Sequence, residues 1–448
     1  MIKQLKVKLI SDKHLHELVR GSSIAFVYRI VGLVLGYVFT LIIARGFGAE
    51  TMGIYSLSLT VLGIAALVGK LGLDTALLKF VAELSAQKRN NDIRKLYNKV
   101  LQISIPFSII IAIALYFTSP MLAEFVFHKK YLSDYFQIVS FGVVPIILMT
   151  INGEAIRGLK NIKVYMFLTS IALVLIATVF LIIFYFYSQD SSVPLIAQII
   201  SIFIVSILSF IFWYQLHGKG TKNDLSSEDI NYKNIISVSL PMLITASMGA
   251  IMGVTDMLML GIYATATDVG VYSVALKISM IASLALVAIT TIAAPKFAEF
   301  WGRNDMDGLS KIAQQSTKLI FWTSFPVLII LLLFPSFILG VFGDQFIIGS
   351  VALMILAFGQ FINAISGSVG YILNMTGSQK ILQYTAMISA IINIILNYFL
   401  IPEYGLTGAA IATVISTACW NILCVIYIYK KMNILVIYIP KIRKKNVD

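Results

Sequence analysis

Apolar residues run along this chain in blocks of about 20, parted by short polar breaks. An apolar run of that length crosses the hydrocarbon core as a helix, because a helix satisfies its own backbone polar groups in lipid. Twelve runs stand out, near 22–45, 52–72, 100–119, 135–156, 164–187, 193–214, 235–263, 269–294, 314–339, 347–373, 381–401 and 406–429. The pattern predicts an all-α polytopic membrane protein with twelve transmembrane helices.

The blocks also repeat. Gly32 and Gly36 form a GxxxG step, and Gly53-Ile-Tyr-Ser56 follows; Gly249 and Gly253, then Gly270-Val-Tyr-Ser273, repeat both at a shift of 217. The same shift pairs Lys79-Phe80 with Lys296-Phe297, Phe141-Gly142 with Phe358-Gly359, and Gly153 with Gly370. With slight drift, Pro106 meets Pro326, Gly158 meets Gly377 and Tyr165 meets Tyr384. Self-similarity at a fixed period marks a structural repeat. Six helices per copy is an even number, so the copies share one orientation and relate by an axis along the membrane normal. The expected organisation is a cytoplasmic amphipathic segment (1–21), a six-helix lobe (22–214), a polar linker (215–234), a second six-helix lobe (235–430) and a basic cytoplasmic tail (431–448). Repeated glycines suit close helix approach, and Pro106, Pro326 and Pro241 suit either plain helix packing or a kink.

Composition agrees: 59% hydrophobic, 12% charged, mean hydropathy +0.90. Charge sets orientation. With the N-terminus inside, 28 of the 34 Lys and Arg residues fall in cytoplasmic segments, the positive-inside signature. Both termini are therefore expected in the cytoplasm of a multi-pass protein of the cell membrane. The net charge of +13 follows from this topology and carries no sign of nucleic acid. Lys3, Lys6, Lys8, Asp12 and Lys13 interrupt the N-terminus, so no signal peptide is read there. There is no GxxxxGK[ST] loop, His14, His16, His128 and His217 all lie outside the runs, and Cys419 and Cys424 point to different faces. Neither an enzyme, a metal site nor a bound cofactor is expected.

Charges inside the spans are the candidates for function, since an ionisable group at membrane depth faces a bundle interior or a wet cavity. Arg29 lies in helix 1 with Ala246 as its repeat mate; Asp256 in helix 7 stands opposite Phe39, and Lys277 in helix 8 opposite Thr60. Asp256 and Lys277 suit either a static ion pair or one opened by substrate or a coupling cation. Lys70 and Asp74, and Glu154 and Arg157, lie near helix ends, where interfacial snorkelling competes with a site role. Asn152, Asn363, Asn374, Asn393 and Asn397 suit helix packing or a sugar. The substrate-binding candidates are Arg29, Lys277, Lys70, Asn152 and Asn363; the ion-coupling candidates are Asp256, Asp74 and Glu154.

Several stretches resemble one family. Asn397-Tyr-Phe-Leu-Ile-Pro-Glu-Tyr-Gly-Leu-Thr-Gly-Ala-Ala-Ile-Ala-Thr-Val-Ile-Ser416 is similar to the junction of helices 11 and 12 in Wzx-type polysaccharide flippases, within the multidrug/oligosaccharidyl-lipid/polysaccharide exporter superfamily. So are Gly46-Phe-Gly-Ala-Glu-Thr-Met-Gly-Ile-Tyr-Ser56, Asp268-Val-Gly-Val-Tyr-Ser-Val-Ala-Leu-Lys277 and Asn374-Met-Thr-Gly-Ser-Gln-Lys380. The resemblance implies two six-helix lobes around a cavity that opens to each side in turn. It implies transfer of polyprenyl-(pyro)phosphate-linked oligosaccharide from the inner to the outer leaflet for surface polysaccharide assembly. Arg29 and Lys277 would then meet the pyrophosphate, and Asp256 would serve Na⁺ or H⁺ coupling. Membrane lipid, a polysaccharide polymerase and glycosyltransferases are the expected partners. The alternative is a cation-coupled multidrug exporter of the same superfamily.

Overall fold

The computed structural model describes residues 13–217 and 231–438. Expectations for residues 1–12, for 218–230 of the linker and for 439–448 of the tail lie outside the described residues. No strand occurs among those described. The helices are α1 (Lys13–Gly69), α2 (Leu73–Ala86), α3 (Asn90–Met121), α4 (Leu132–Ser140), α5 (Val143–Gly158), α6 (Ile162–Met166), α7 (Leu173–Tyr185) and α8 (Val193–His217). They continue as α9 (Tyr232–Tyr263), α10 (Ala266–Ser279), α11 (Leu284–Gly302), α12 (Met306–Leu333), α13 (Pro335–Gly340), α14 (Ser350–Ile365), α15 (Val369–Met375) and α16 (Gln379–Met432).

Eight helical stretches among the described residues are long and apolar enough to cross a membrane. Two of them are double length. The part of α1 from Phe26 holds 44 residues and α16 holds 54, about 66 and 81 Å at 1.5 Å per residue, against a hydrocarbon core of about 30 Å. Each is broken once, at Gly48 (φ 84) and Gly405 (φ 54). A further pass is the pair α4 and α5, bent by 43° at Phe141-Gly142. With α9 as one more pass, the helices are consistent with the twelve expected runs, and the chain is a multi-pass membrane protein. Large apolar side chains stand exposed along it, among them Phe117, Phe186 and Phe337, as lipid permits.

Pro106, Pro241 and Pro326 sit inside continuous helices. The breaks fall elsewhere: at Gly48, Leu71-Gly72, Phe141-Gly142, Gly367 and Gly405. A positive φ, as at Gly48, Gly72, Gly367 and Gly405, redirects the chain. The stretch after Gly72, beyond the second apolar run, is α2, which buries Leu73, Leu77 and Val81 at four-residue spacing.

The chain packs into two compact units, dividing at Ser273 and Val274 inside α10. In the first, α9 lies along α1 and α2. Near its start the Tyr232 hydroxyl donates to Gln102 Oε1 at 2.6 Å, and a Cβ on Gly72 would press on the Ser239 carbonyl, 2.7 Å from the Leu243 nitrogen. This end of the first unit, beside the linker, is called proximal, and the opposite end distal. Gly32 packs against the Ser170 backbone, the close approach expected of the first GxxxG step. Gly253 of the second step faces open space.

The second unit joins α11, α12, α14, α15 and α16 around Phe297, Leu309, Ala313, Val369, Ile372 and Ile428. Beyond Met432 the chain turns at Asn433 (φ 54) and lays Ile434 and Val436 into this core. The start of the expected tail is thus a packed strap. Cys419 and Cys424 are free thiols.

Candidate functional site

The two copies of the repeat meet in the first unit. Gly53 and Gly270 are repeat mates, as are Ala49 and Ala266. A Cβ on Gly53 would run into the Ala266 carbonyl oxygen and stand 2.9 Å from the Gly270 nitrogen. A Cβ on Gly270 would run into the Ala49 carbonyl oxygen and stand 2.8 Å from the Gly53 nitrogen. Each copy presents the same surface to the other, the reciprocity of a two-fold contact. Both glycines lie inside helices, and their missing side chains admit the crossing.

Two residues further along, the two copies agree in packing and part in chemistry. Tyr55 and Tyr272, again mates, are both buried. Tyr55 packs on the Phe39 ring, centroids 5.7 Å apart, and its hydroxyl donates to Gln198 Oε1 at 3.0 Å. Tyr272 instead donates to Asp256 Oδ2 at 2.8 Å, and Asp256 occupies the place of Phe39. Asp256 is 4% exposed. A buried carboxyl group where the other copy holds a ring costs stability unless it is hydrogen-bonded, and the Tyr272 hydroxyl supplies that hydrogen bond.

The other predicted residues fall into three groups. Arg29 is exposed in the first unit and Lys277 half-buried in the second. Lys70 pairs with Asp74 at 2.6 Å across the break at Leu71-Gly72. Glu154 pairs with Arg157 at 3.2 Å and accepts from the Tyr165 hydroxyl at 3.0 Å. These carboxylates are engaged by neighbours on their own or adjoining helices. The amides are engaged too. Asn152 Oδ1 accepts from Tyr97 at 2.6 Å, and its Nδ2 donates to Ser209 at 2.9 Å, joining three helices in the core. Asn363 Oδ1 accepts from Asn421 Nδ2 at 3.3 Å, and Asn393 donates to Ser416 at 3.2 Å. For Asn152 the surroundings are those of a packing residue. No group of three His, Cys, Asp or Glu gathers among the described residues.

Sequence reasoning missed Lys129. It follows a π-helical turn, Leu122–Val126, and its Nζ donates to the Gly261 and Ala264 carbonyls, both at 2.5 Å. Burial lowers its pKa from the ordinary lysine value, and Asp268 opposes the shift. Asp268 itself closes a capping box: its Oδ2 accepts from the Thr265 hydroxyl at 2.6 Å, and its nitrogen donates to Thr265 Oγ1 at 3.1 Å. That box is legible as Thr265-x-x-Asp268. The Lys129 contact spans 132 residues and leaves no local signal.

Comparison with known proteins fits this architecture. A model described as "Polysaccharide biosynthesis protein" matches residues 18–301, and one described as "MatE" matches 241–399. A Haloferax volcanii protein named "Probable low-salt glycan biosynthesis flippase Agl15" is 25% identical over 93% of this chain and 85% of its own length. A Shigella flexneri protein named as a candidate O-antigen transporter is 23% identical over 83% of this chain and 88% of its own. The solved structure of the lipid II flippase MurJ in an inward closed conformation superposes with TM-score 0.73 at 18% identity, covering 92% of this chain and 87% of that one. Since the first model spans more than half of the residues, the chain belongs to the polysaccharide biosynthesis protein family.

Proposed function

We propose that this protein is a flippase: it moves polyprenyl-(pyro)phosphate-linked oligosaccharide from the inner to the outer leaflet by alternating access, for surface polysaccharide assembly. The observation that carries the reading is the likeness to a glycan biosynthesis flippase along 93% of the chain. The physical problem suits such a bundle. A sugar head cannot cross hydrocarbon unaided, and a polar path between helices shelters it while the prenyl tail stays in lipid.

In this reading the protein sits in the cytoplasmic membrane with both termini inside and the distal end outward. Arg29 and Lys277 neutralise the pyrophosphate, the guanidinium in bidentate fashion. Asp256 takes up H⁺ or Na⁺; one carboxylate beside a tyrosine hydroxyl is a donor set for a proton or an alkali cation rather than a transition metal. Binding there biases the two states through differential affinity. Polymerase and glycosyltransferases work next to it. The experiment is lipid extraction from a host lacking the gene. Polyprenyl-linked oligosaccharide should accumulate and be cleared by the intact gene, but not by Arg29→Ala or Lys277→Ala variants that reach the membrane. The match of 241–399 to MatE favours a second reading, a cation-coupled multidrug exporter. No accumulation, together with new sensitivity to cationic drugs, would establish that one instead.

A further inference from the structure

The distal end of the first unit carries a contact that the transport reading does not use. A helix leaves its last carbonyls without partners inside the helix, and they are commonly met by a glycine turn just beyond the end. After α9 comes no glycine: Ala264 is extended (φ −118, ψ 177). The carbonyls of Gly261 and Ala264 are met by Lys129 instead, an ammonium at the negative end of the helix dipole. The loop is shaped to deliver it. The Lys129 nitrogen donates back to the Ala123 carbonyl at 2.7 Å, and His128 (φ 54) turns the chain. Phe127 is buried, its ring 3.0 Å from where a Cβ on Gly261 would stand, with Leu57 on the same spot at 2.6 Å. The Gly53–Gly270 crossing lies beside them.

We propose that Lys129 is a latch that holds the distal end of α9 closed over α1, and that it releases when the transporter opens on that side. The inference rests on the two-state transport reading above. Its physical basis is that the latch partners exchange for water on opening: two carbonyls and an ammonium are solvated without strain once α9 lifts. The contact therefore counts in the closed state alone. A side chain reaching across 132 residues makes closure depend on one group, whereas the capping box of α10 stays local in either state. Lys129 here is a positioning residue and touches no substrate.

The test uses the full chain with Cys419→Ala and Cys424→Ala, a reporter Leu57→Cys under α9 and a control Ala177→Cys, both positions being buried. Maleimide labelling is timed in vesicles opened to both faces, so that the result does not depend on orientation. Lys129→Met should raise labelling of Leu57→Cys about five- to tenfold, with Ala177→Cys unchanged. Lys129→Arg, which keeps charge and donors, should stay within about twofold of the parent. An unchanged rate in Lys129→Met overturns the latch, and so does a parallel rise at Ala177→Cys, which reports general loosening. Repeating the labelling on intact cells with an impermeant maleimide separates the two proposals. A rise seen in opened vesicles and not from outside overturns the orientation and leaves the latch standing.

Discussion

Replacing Gly53 with alanine puts one methyl group into a helix crossing that has no room for it. The added carbon would stand 2.7 Å from the Ala266 carbonyl carbon and 2.9 Å from the Gly270 nitrogen. Carbon atoms rest about 3.5–4.0 Å apart and the Ala266 carbonyl oxygen stands nearer still, so the two helices must part by about 1.5 Å. Overpacking of this size costs about 1–3 kcal/mol. Gly270→Ala meets the mirror obstruction, 2.8 Å from the Gly53 nitrogen and 3.0 Å from the Ala49 carbonyl carbon, and should cost about as much. The two costs are not independent. Helices already parted for one methyl have room for the other, so the double variant should lose little more than the worse single one. Independent sites would lose about 2–6 kcal/mol together; a shared crossing should show a coupling of about 1–2 kcal/mol. The assay is the thermal midpoint in detergent for both single variants, the double, and Gly63→Ala, whose added carbon meets nothing within 4 Å. Gly63→Ala should leave the midpoint in place. A double variant whose loss equals the sum of the singles would refute a shared crossing. Single variants as stable as Gly63→Ala would refute the crossing itself.

Asn152→Leu should lower the thermal midpoint by the equivalent of about 1–3 kcal/mol, because Tyr97 and Ser209 lose their buried partner, while folded protein still clears lipid-linked oligosaccharide. Loss of clearance at full stability would return Asn152 to the substrate site. Lys70→Ala should cost about 3 kcal/mol, because it leaves Asp74, 6% exposed, a buried carboxylate without its ammonium, while protein that still folds clears lipid-linked oligosaccharide; abolished clearance at full folding would show that the pair does more. Ending the chain at Met432 withdraws Ile434 and Val436, 1% and 0% exposed, worth about 1.5–3 kcal/mol each. Thermal stability should drop sharply there and hold when the chain ends at Tyr438.

Span positions were legible because run length is a one-dimensional quantity that lipid thickness dictates. Breaks were less so. Proline draws the eye, yet Pro106 and Pro326 ride inside intact helices, while the turn at Leu71-Gly72 depends on what α9 presses against it. The helix α2 falls outside the apolar runs because Lys79 and Glu83 interrupt it, although Leu73, Leu77 and Val81 line one buried face. A spacing of four was there to be counted. Lys129 was beyond reach for another reason: helix capping is recognised by neighbours in sequence, and its partners lie in another copy of the repeat.

The repeat itself told more than its period. If positions 217 residues apart are equivalent, equivalent residues touch where equivalent helices cross, and Gly53 against Gly270 agrees with that expectation. Departures from the repeat carry the complementary information. At Phe39 and Asp256 the two copies surround a buried tyrosine in the same way, but one supplies a ring and the other a carboxylate. Packing alone accounts for the ring. It does not account for the carboxylate, which must be desolvated and then satisfied where an apolar group would serve. A carboxylate at a place that the other copy fills with a ring is where the proposed coupling role would sit. That is the argument for giving Asp256 the coupling role, and Asp256→Asn tests it: if cation-driven transport persists with its ion dependence unaltered, the carboxylate is structural after all.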